Sequence, residues 1–347
     1  MSMNTLTEFL QESKCQFRVY DLGRKVSRIA SSVFEKIAHN EQPYPYPIQQ
    51  HAYIALTFWQ TSVQKEHFIW FLKMPLDEQG LMKITAQSSF IRMVVEAIGE
   101  DLTVDISKKL QERLASNPFV FKPAAEKLAI FNAAVNTGLI RPPSSFYQAA
   151  AHYFSGAAGW NNWQELGIQG IADLTARLNH DNNQEHLIIA LPFLPQQPLQ
   201  SLALCLENQD QISTSLAEAL VRQADIELQA DHQDSAILLL RALASAPAAG
   251  ITKALLEKQF SSELIHNPHW YVGIAGRLWT MLEDETLLNR FLEALANNQP
   301  SLFPQLFADL VAIPSLRDKV LKQLRLPARS PALSEAIGVL FSGIKTT

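Results

Sequence analysis

The fourteen residues His67-Phe68-Ile69-Trp70-Phe71-Leu72-Lys73-Met74-Pro75-Leu76-Asp77-Glu78-Gln79-Gly80 restrict the fold more than any other part of this chain. They form an almost unbroken apolar run that stops at Pro75, two adjacent acids and Gly80. A run of this length, rich in aromatics and containing Ile, reads as a strand buried on both faces and ended by turn chemistry. Periodicity alone also permits a buried helix, but Pro75 and Gly80 leave it little room.

The residues before the run supply partners for such a strand. Residues 4–14 read as a short amphipathic helix with Leu6, Phe9 and Leu10 on one side. Residues 17–21 and 25–29 each alternate apolar and polar, as two strands of a hairpin turning at Leu22-Gly23-Arg24, where Gly23 can adopt a positive φ. Ser31 and Ser32 are placed to cap a helix whose stripe is Val33, Phe34 and Ile37. Pro43-Tyr44-Pro45-Tyr46-Pro47 excludes helix and sheet interior and reads as an extended, polyproline-like strip. Residues 53–59 form another strand candidate, with a short buried helix from near Gln49 as the alternative. After Gly80, Phe90, Ile91, Val94, Val95 and Ile98 recur at helical spacing, and Gly99 is placed to end that helix. The N-terminal part is therefore α+β, with a small, antiparallel sheet and helices against it.

From about residue 105 strand signals vanish. Helical stretches recur at roughly 106–115, 124–138, 144–155, 163–178, 184–191, 198–207, 213–229, 233–245, 251–260, 269–283, 286–297, 302–312, 315–324 and 331–341, joined by short linkers. Leu206-Glu207-Asn208-Gln209 before Ile212 and Leu216 matches Leu282-Glu283-Asp284-Glu285 before Leu288 and Leu292. That separation of 76 residues is two units of 38, near the period of HEAT-type helical repeats. The expected organisation is an α+β domain over 1–115 and an all-α domain over 116–347, a HEAT-like solenoid in preference to a globular bundle. A chain of 347 residues fits two cores better than one.

Charge divides along the same line. Residues 1–127 hold 15 Lys and Arg against 14 Asp and Glu, or +1, and residues 128–347 hold 14 against 20, or −6. Neither part clusters the basic residues that a nucleic-acid surface needs, so nucleic acid is not the expected partner. Cys15 and Cys205 are the two cysteines. Far apart and without metal-ligand spacing, they exclude a disulfide framework and suit a reducing cytoplasm. The first 17 residues are polar and mixed in charge, unlike a secretory leader. The charge-free run from Pro142 to Gln164 is too polar to insert in a membrane, and prolines interrupt Leu187 to Leu206.

Three motifs together carry a resemblance: Phe17-Arg18-Val19-Tyr20-Asp21-Leu22-Gly23-Arg24, Pro43-Tyr44-Pro45-Tyr46-Pro47-Ile48-Gln49-Gln50, and Trp70-Phe71-Leu72-Lys73 through Asp77-Glu78-Gln79-Gly80. With them the chain resembles, over its whole length, an uncharacterised family of conserved hypothetical proteins from gamma-proteobacteria. The resemblance implies that the chain is one inherited, bacterial unit. It implies no activity, cofactor or catalytic residue.

The polar residues offer a few candidate sites. Asp77 and Glu78 are two carboxylates at a strand end that could hold a divalent cation or act as acid and base. The alternative is a solvated turn capped by Asp77, and neighbours on a strand point to opposite faces. Lys73, within a buried strand, must snorkel or pair with an acid. If the hairpins abut, Asp21, Arg24, Lys73 and Asp77 form one charged cluster, either a salt-bridge network or an anion pocket. Tyr44 and Tyr46 on a proline-rigid strip are either a partner-binding surface or a crossover packed on the core. His266 and His269 flank Pro268 without a third ligand of suitable spacing, so no metal site is expected. Gly156 and Gly159 lack the strand and Gly-Lys-Ser/Thr of a phosphate loop. Trp270 and Trp279 lie on one expected helix, pointing to opposite sides, so that one can face a partner, unless both pack in the core as such rings more often do.

No complete catalytic or cofactor motif accompanies these features. The leading expectation is a non-enzymatic scaffold or adaptor that uses its helical surface, whose acidic charge favours a basic protein partner. The alternative is an enzyme, or a regulator binding a small anion, with its site at Asp21, Arg24, Lys73, Asp77 and Glu78.

Overall fold

A computed structural model describes residues 4–60, 67–99, 113–114 and 116–342. The expected helix at 106–115 falls almost wholly outside the described residues, as does the Ile98 side chain. Two compact units are present: Met1–Ala124 with Ala312–Pro314, and Ala125–Val311 with Ser315–Thr347.

The first unit contains a four-stranded sheet of β1 (Cys15–Asp21), β2 (Ser27–Ile29), β3 (His51–Gln60) and β4 (Phe68–Pro75) in the order β2-β1-β3-β4. Every pair is antiparallel. Helices α1 (Leu6–Glu12), α2 (Ser31–Ala38) and α3 (Ile84–Gly99) accompany it. The register places Val19, Leu56 and Trp70 in one row and Asp21, Ile54 and Leu72 in the next. This face meets the helices, and Trp70 is its centre. The Trp70 ring lies 6.1 Å from Phe9 of α1, 4.6 Å from Phe58 of β3 and 5.2 Å from Phe90 of α3, centroid to centroid.

The opening run is thus a strand, but it is not buried on both faces. Trp70, Leu72 and Met74 are buried, whereas Phe68 is exposed and Ile69, Phe71 and Lys73 are partly covered. Ile69 and Phe71 on its second face hide the alternation in the sequence. Residues beyond the undescribed segment line the outer edge of β4: the Lys73 amide donates to the Phe119 carbonyl at 2.7 Å, and the Phe121 amide to Phe71 at 3.1 Å. Three such residues are too few to announce a strand.

Two local devices fix the helices. Thr5 and Glu8 form a capping box on α1. Gln87 of α3, fully buried, accepts from the Leu6 amide at 3.1 Å and donates to the Ala38 carbonyl at 3.0 Å. One side chain thereby satisfies an orphan donor at the start of α1 and an orphan acceptor at the end of α2. The expected serine cap of α2 is absent: the helix begins at Ser31 behind Ala30, and the Ser31 hydroxyl donates instead to the Phe17 carbonyl. Val95 is 44% exposed and falls outside the core stripe.

The second unit is helical throughout its described residues: α4 (Ala125–Gly138), α5 (Tyr147–Phe154), α6 (Ile168–Thr175), α7 (Asn183–Ala190), α8 (Gln196–Leu206), α9 (Thr214–Gln229), α10 (Gln233–Ala242), α11 (Ala249–Gln259), α12 (Pro268–Arg277), α13 (Glu285–Asn298), α14 (Phe303–Ala312), α15 (Pro314–Gln323) and α16 (Pro331–Ser342). The expected helix 269–283 is two elements, because α12 stops at Arg277 and a 3-10 turn follows over Trp279–Glu283. There Asp284 caps the next helix by accepting from the Thr286 and Leu287 amides, both at 3.0 Å.

Packing follows an alternating rule. Helix α4 contacts α6, α6 contacts α8, α8 contacts α10 and α10 contacts α12; likewise α5 meets α7, α7 meets α9 and α9 meets α11. Within the two series each helix buries a stripe, as Leu216, Leu220 and Ala224 do on α9. Side-chain hydrogen bonds join residues 34 or 35 apart in Asn267 to Gln233, Asn289 to Gln323 and Gln200 to Ser235.

Phe90→Ala removes a ring from the Trp70 cluster and should cost about 3–5 kcal/mol. Urea unfolding of the whole chain, followed by tryptophan fluorescence, checks this; an unchanged early transition would contradict the central role given to Trp70.

Candidate functional site

Asp21 ends β1 where the chain turns away from the sheet. It is fully buried, and its carboxylate is tied to the turn it begins: Oδ1 accepts from the Gly23 amide at 3.1 Å and Oδ2 from the Lys25 amide at 3.0 Å. Gly23 is required here for space, not for a positive φ. A Cβ on it would stand 3.1 Å from Asp21 Oδ1 and 3.3 Å from Ile48 Cδ1. The Tyr44 hydroxyl donates to Asp21 Oδ1 at 2.6 Å. Arg24, 2% exposed, donates through Nε to the Pro47 carbonyl at 2.9 Å. Asp21 and Arg24 therefore fasten the proline-rich strip to the end of the sheet.

That contact settles the environment of the tyrosines. Tyr44 is entirely buried and Tyr46 half-buried, with their rings edge-to-face at 6.2 Å. Burial first, and then the Asp21 charge, raises the Tyr44 hydroxyl well above its usual pKa. Burial likewise raises Tyr46. The expectation that Tyr44 displays a partner surface is corrected, because its ring and hydroxyl are spent inside the unit. Trp270 is also interior, at 1% exposure, and Trp279 lies at 6% in the turn after α12, so neither indole faces outward.

The remaining members of the expected cluster lie elsewhere. Strand β3 separates β1 from β4. Lys73 follows Leu72, which shares a row with Asp21, so Lys73 leaves the opposite face of the sheet. Its Nζ sits 5.5 Å from the Tyr53 ring centroid, a cation–π contact rather than an acid pairing. Asp77 is engaged in a turn, its Oδ1 accepting from the Gln79 amide at 2.9 Å and the Leu81 amide at 2.8 Å, with Gly80 at φ 84°. Glu78 is exposed. Thus Asp21 and Arg24 both hold the proline-rich strip, while Lys73 leaves the other face of the sheet and Asp77 is engaged in its own turn.

In the second unit, Gln233, Asp234, Glu263, His266, Asn267, Pro268 and His269 line an open cleft of 460 Å³. His269 Nδ1 lies 3.2 Å from Asp234 Oδ1, both side chains about 70% exposed. Among the described residues no three potential metal-ligating side chains come together.

A charged feature that sequence reasoning overlooked lies at the ends of α8, α10 and α12. Glu207, which closes α8 and is 4% exposed, accepts from two arginines. Its Oε2 takes Arg241 Nε at 2.9 Å and Nη2 at 2.7 Å, and its Oε1 takes Arg277 Nε at 3.0 Å. The Ser245 hydroxyl donates to the Glu207 carbonyl at 3.1 Å. A related tie stands after α4 and α6. Arg177 Nη1 lies 3.3 Å from Oδ1 of fully buried Asp173, and Nη2 donates to the Arg141 carbonyl at 3.2 Å. Cations at helix C-termini offset the negative end of the helix dipole. The signal was present in the chain: Arg141 and Arg177 are 36 residues apart, and the same spacing separates Arg241 from Arg277.

The chain belongs to the family described as protein of unknown function (DUF3549), whose model matches residues 1–341. No curated protein and no solved structure matches it.

Tyr44→Phe deprives the buried Asp21 carboxylate of one donor and should cost about 1–3 kcal/mol. The folded-state pKa of Tyr44 is raised above its unfolded value. Its contribution is therefore complete below about pH 10 and is lost as the pH climbs above that. Thermal unfolding of both proteins from pH 7 to 11 should show the stability gap narrowing above about pH 10; a gap constant across that range would contradict this environment.

Proposed function

We propose that this protein is a non-enzymatic interaction scaffold, with an α+β domain that ends near Ala124, later than the 115 expected from sequence, and a helical-repeat array after it as its partner-binding part. The observation that carries the reading is the alternating rule of helix packing, reinforced by cross-links at a nearly constant sequence spacing. Stacked helix pairs generate extended surfaces that suit protein partners. The repeat unit is HEAT-like in being a helix pair, though its spacing of 34 to 36 residues is shorter than the 38 expected from sequence.

Charge supports a basic protein as the partner. Residues 128–347 carry 14 Lys and Arg against 20 Asp and Glu, and such a surface attracts positive partners by steering. Exposed Glu185 on α7 and Glu218 on α9 lie on two helices that pack together. Free Cys15 and Cys205 suit a cytoplasmic setting. No helix among the described residues is long and apolar enough to cross a membrane.

The test is affinity capture of the tagged full-length chain from its native host, beside a Glu185→Lys/Glu218→Lys variant of equal thermal stability. The expected outcome is a basic protein bound by the wild type, with affinity reduced about tenfold or more in the variant, a change of about 1.4 kcal/mol. A partner bound equally by both, or no partner in repeated captures, overturns the reading.

A further inference from the structure

Two large apolar side chains stand out of α7 and the 3-10 turn that follows it over Leu191–Phe193. Ile189 is 61% and Phe193 58% exposed, although α7 packs on α5 and α9 and buries Leu187 and Ala190. Glu185, Ile189 and Phe193 follow one another at intervals of four residues and are all exposed, so they fall on one side of this segment, left open by both neighbouring helices. Single exposed hydrophobics need no explanation, but a pair at contact spacing with one ring held in place does.

Phe193 is not a loose side chain. Its ring stacks on the Trp160 indole, with centroids 5.7 Å apart and planes 9° from parallel. Trp160 is itself held in the connection after α5. The Tyr153 ring meets it edge-on at 5.8 Å, and the Tyr153 hydroxyl donates to its carbonyl at 2.8 Å. A Cβ on Gly156 would stand 3.0 Å from the indole, and φ there is 82°, so glycine is what lets the chain fold this closely against the ring. The open face of Phe193 is therefore presented on a rigid base. A partner that lands on it has little side-chain freedom left to freeze.

Charge and backbone decide the occupant. Surface acids farther along the unit are taken by lysines: Asp225 by Lys258, Asp284 by Lys253 and Glu285 by Lys322. Among the described residues, exposed Glu185 has no such partner. Its nearest charged neighbour in sequence, Asp181, accepts from the Tyr147 hydroxyl, and on α9 Glu218 and Arg222 offset each other at a spacing of four. A cation opposite Glu185 and an apolar residue opposite Phe193 would lie about 12 Å apart, eight residues of helix. A helix surface such as α7 offers no strand edge to pair with, so the partner's backbone must satisfy its own hydrogen bonds, as a helix does.

We infer that Glu185, Ile189 and Phe193 form a docking strip for an amphipathic helix of another protein, with apolar side chains over Ile189 and Phe193 and a Lys or Arg beside Glu185. It rests on the scaffold reading and gives the basic partner a shape: its contact is apolar at one end and cationic at the other. Trp160 is the positioning residue; Phe193 touches the partner.

The intact protein is used to select from a displayed library of random peptides about 15 residues long, a length that can form a helix once bound. Selected peptides are synthesised, and their Kd is measured for the wild type and for Ile189→Asp, Phe193→Ser, Glu185→Lys and Ile140→Asp. Ile140, 96% exposed in another connection, is the control. Selected peptides should carry paired apolar residues at helical spacing with a Lys or Arg two turns away, and should gain helical circular dichroism on binding. Ile189→Asp and Phe193→Ser should each weaken them about tenfold or more, and Ile140→Asp should not. Glu185→Lys should prefer the same peptide with Glu in place of its Lys or Arg. Because both apolar residues are more than half exposed, Tm should stay close to that of the wild type, which confirms the fold of each variant. No selected binder, peptides that are acidic or stay extended, or affinities alike in all five proteins overturn the strip. So does a concentration-dependent dimer of the wild type that Ile189→Asp abolishes, which would make the strip a contact between copies. Selection needs no cellular partner, so a scaffold that captures nothing from its host and a strip that selects no peptide are separate results.

Discussion

No helix of the second unit is long enough to stand by itself. The longest, α9, has 16 residues and several have eight, lengths at which an isolated helix is marginal in water. From α4 to α12 each therefore depends on neighbours in its own series, and α5–α6 and α9–α10 also pack as consecutive pairs. The ends of the helices show how this dependence is made specific. Ser213 caps α9 by accepting from the Leu216 amide while its own amide donates to Gln184. Asn267 caps α12 and donates to Gln233; Asp284 caps α13 and takes Lys253; Ser330 accepts from the Leu333 amide and donates to Glu293. The residue that starts a helix also holds a residue about one repeat earlier. Local capping and long-range order are thus made by the same residues.

The first unit solves a different problem with one strand. Strand β3 pairs with β1 over Ile54–Gln60 and with β4 over His51–Phe58, so the registers of β1 and β4 are fixed together. A shift of one residue would carry Trp70, Leu72 and Met74 out of the core. Gln87 then sets the helices above that face, and the Asp21 turn holds the proline-rich strip at its end. Its polar groups are consumed by architecture, which is why motifs that are unusual in sequence need not mark chemistry.

Much of the fold was legible because its signals are local. Alternation at 17–21 exposes β1, and the thirteen helices of the second unit lie close to the stretches inferred from periodicity and from Pro, Gly and Asn breaks. What failed needed distance information. The proximity of Asp21 to Lys73 depended on strand order, and β3 intervenes. Apolar residues on the outer face of β4 imitated a strand buried on both sides. Tyr44 stayed open to two readings, core or surface, because the partner that decides between them, Asp21, is 23 residues away. The repeat was sought in Leu-rich helices, where chance matches abound; the charged residues at helix ends kept the sharper spacing.

The edges of the sheet have a consequence for the protein at high concentration. An open strand edge is a template on which another copy can add a strand. Here one edge, β2, is only three residues long, and the other, β4, has its middle occupied by Phe119 to Phe121 of the same chain. Those residues act as a built-in chain terminator. A sheet whose edge strand contains Phe-Ile-Trp-Phe-Leu, an aggregation-prone composition, is thereby guarded against adding strands from other copies. The short segment that sequence reading passed over is what makes the conspicuous one safe to carry.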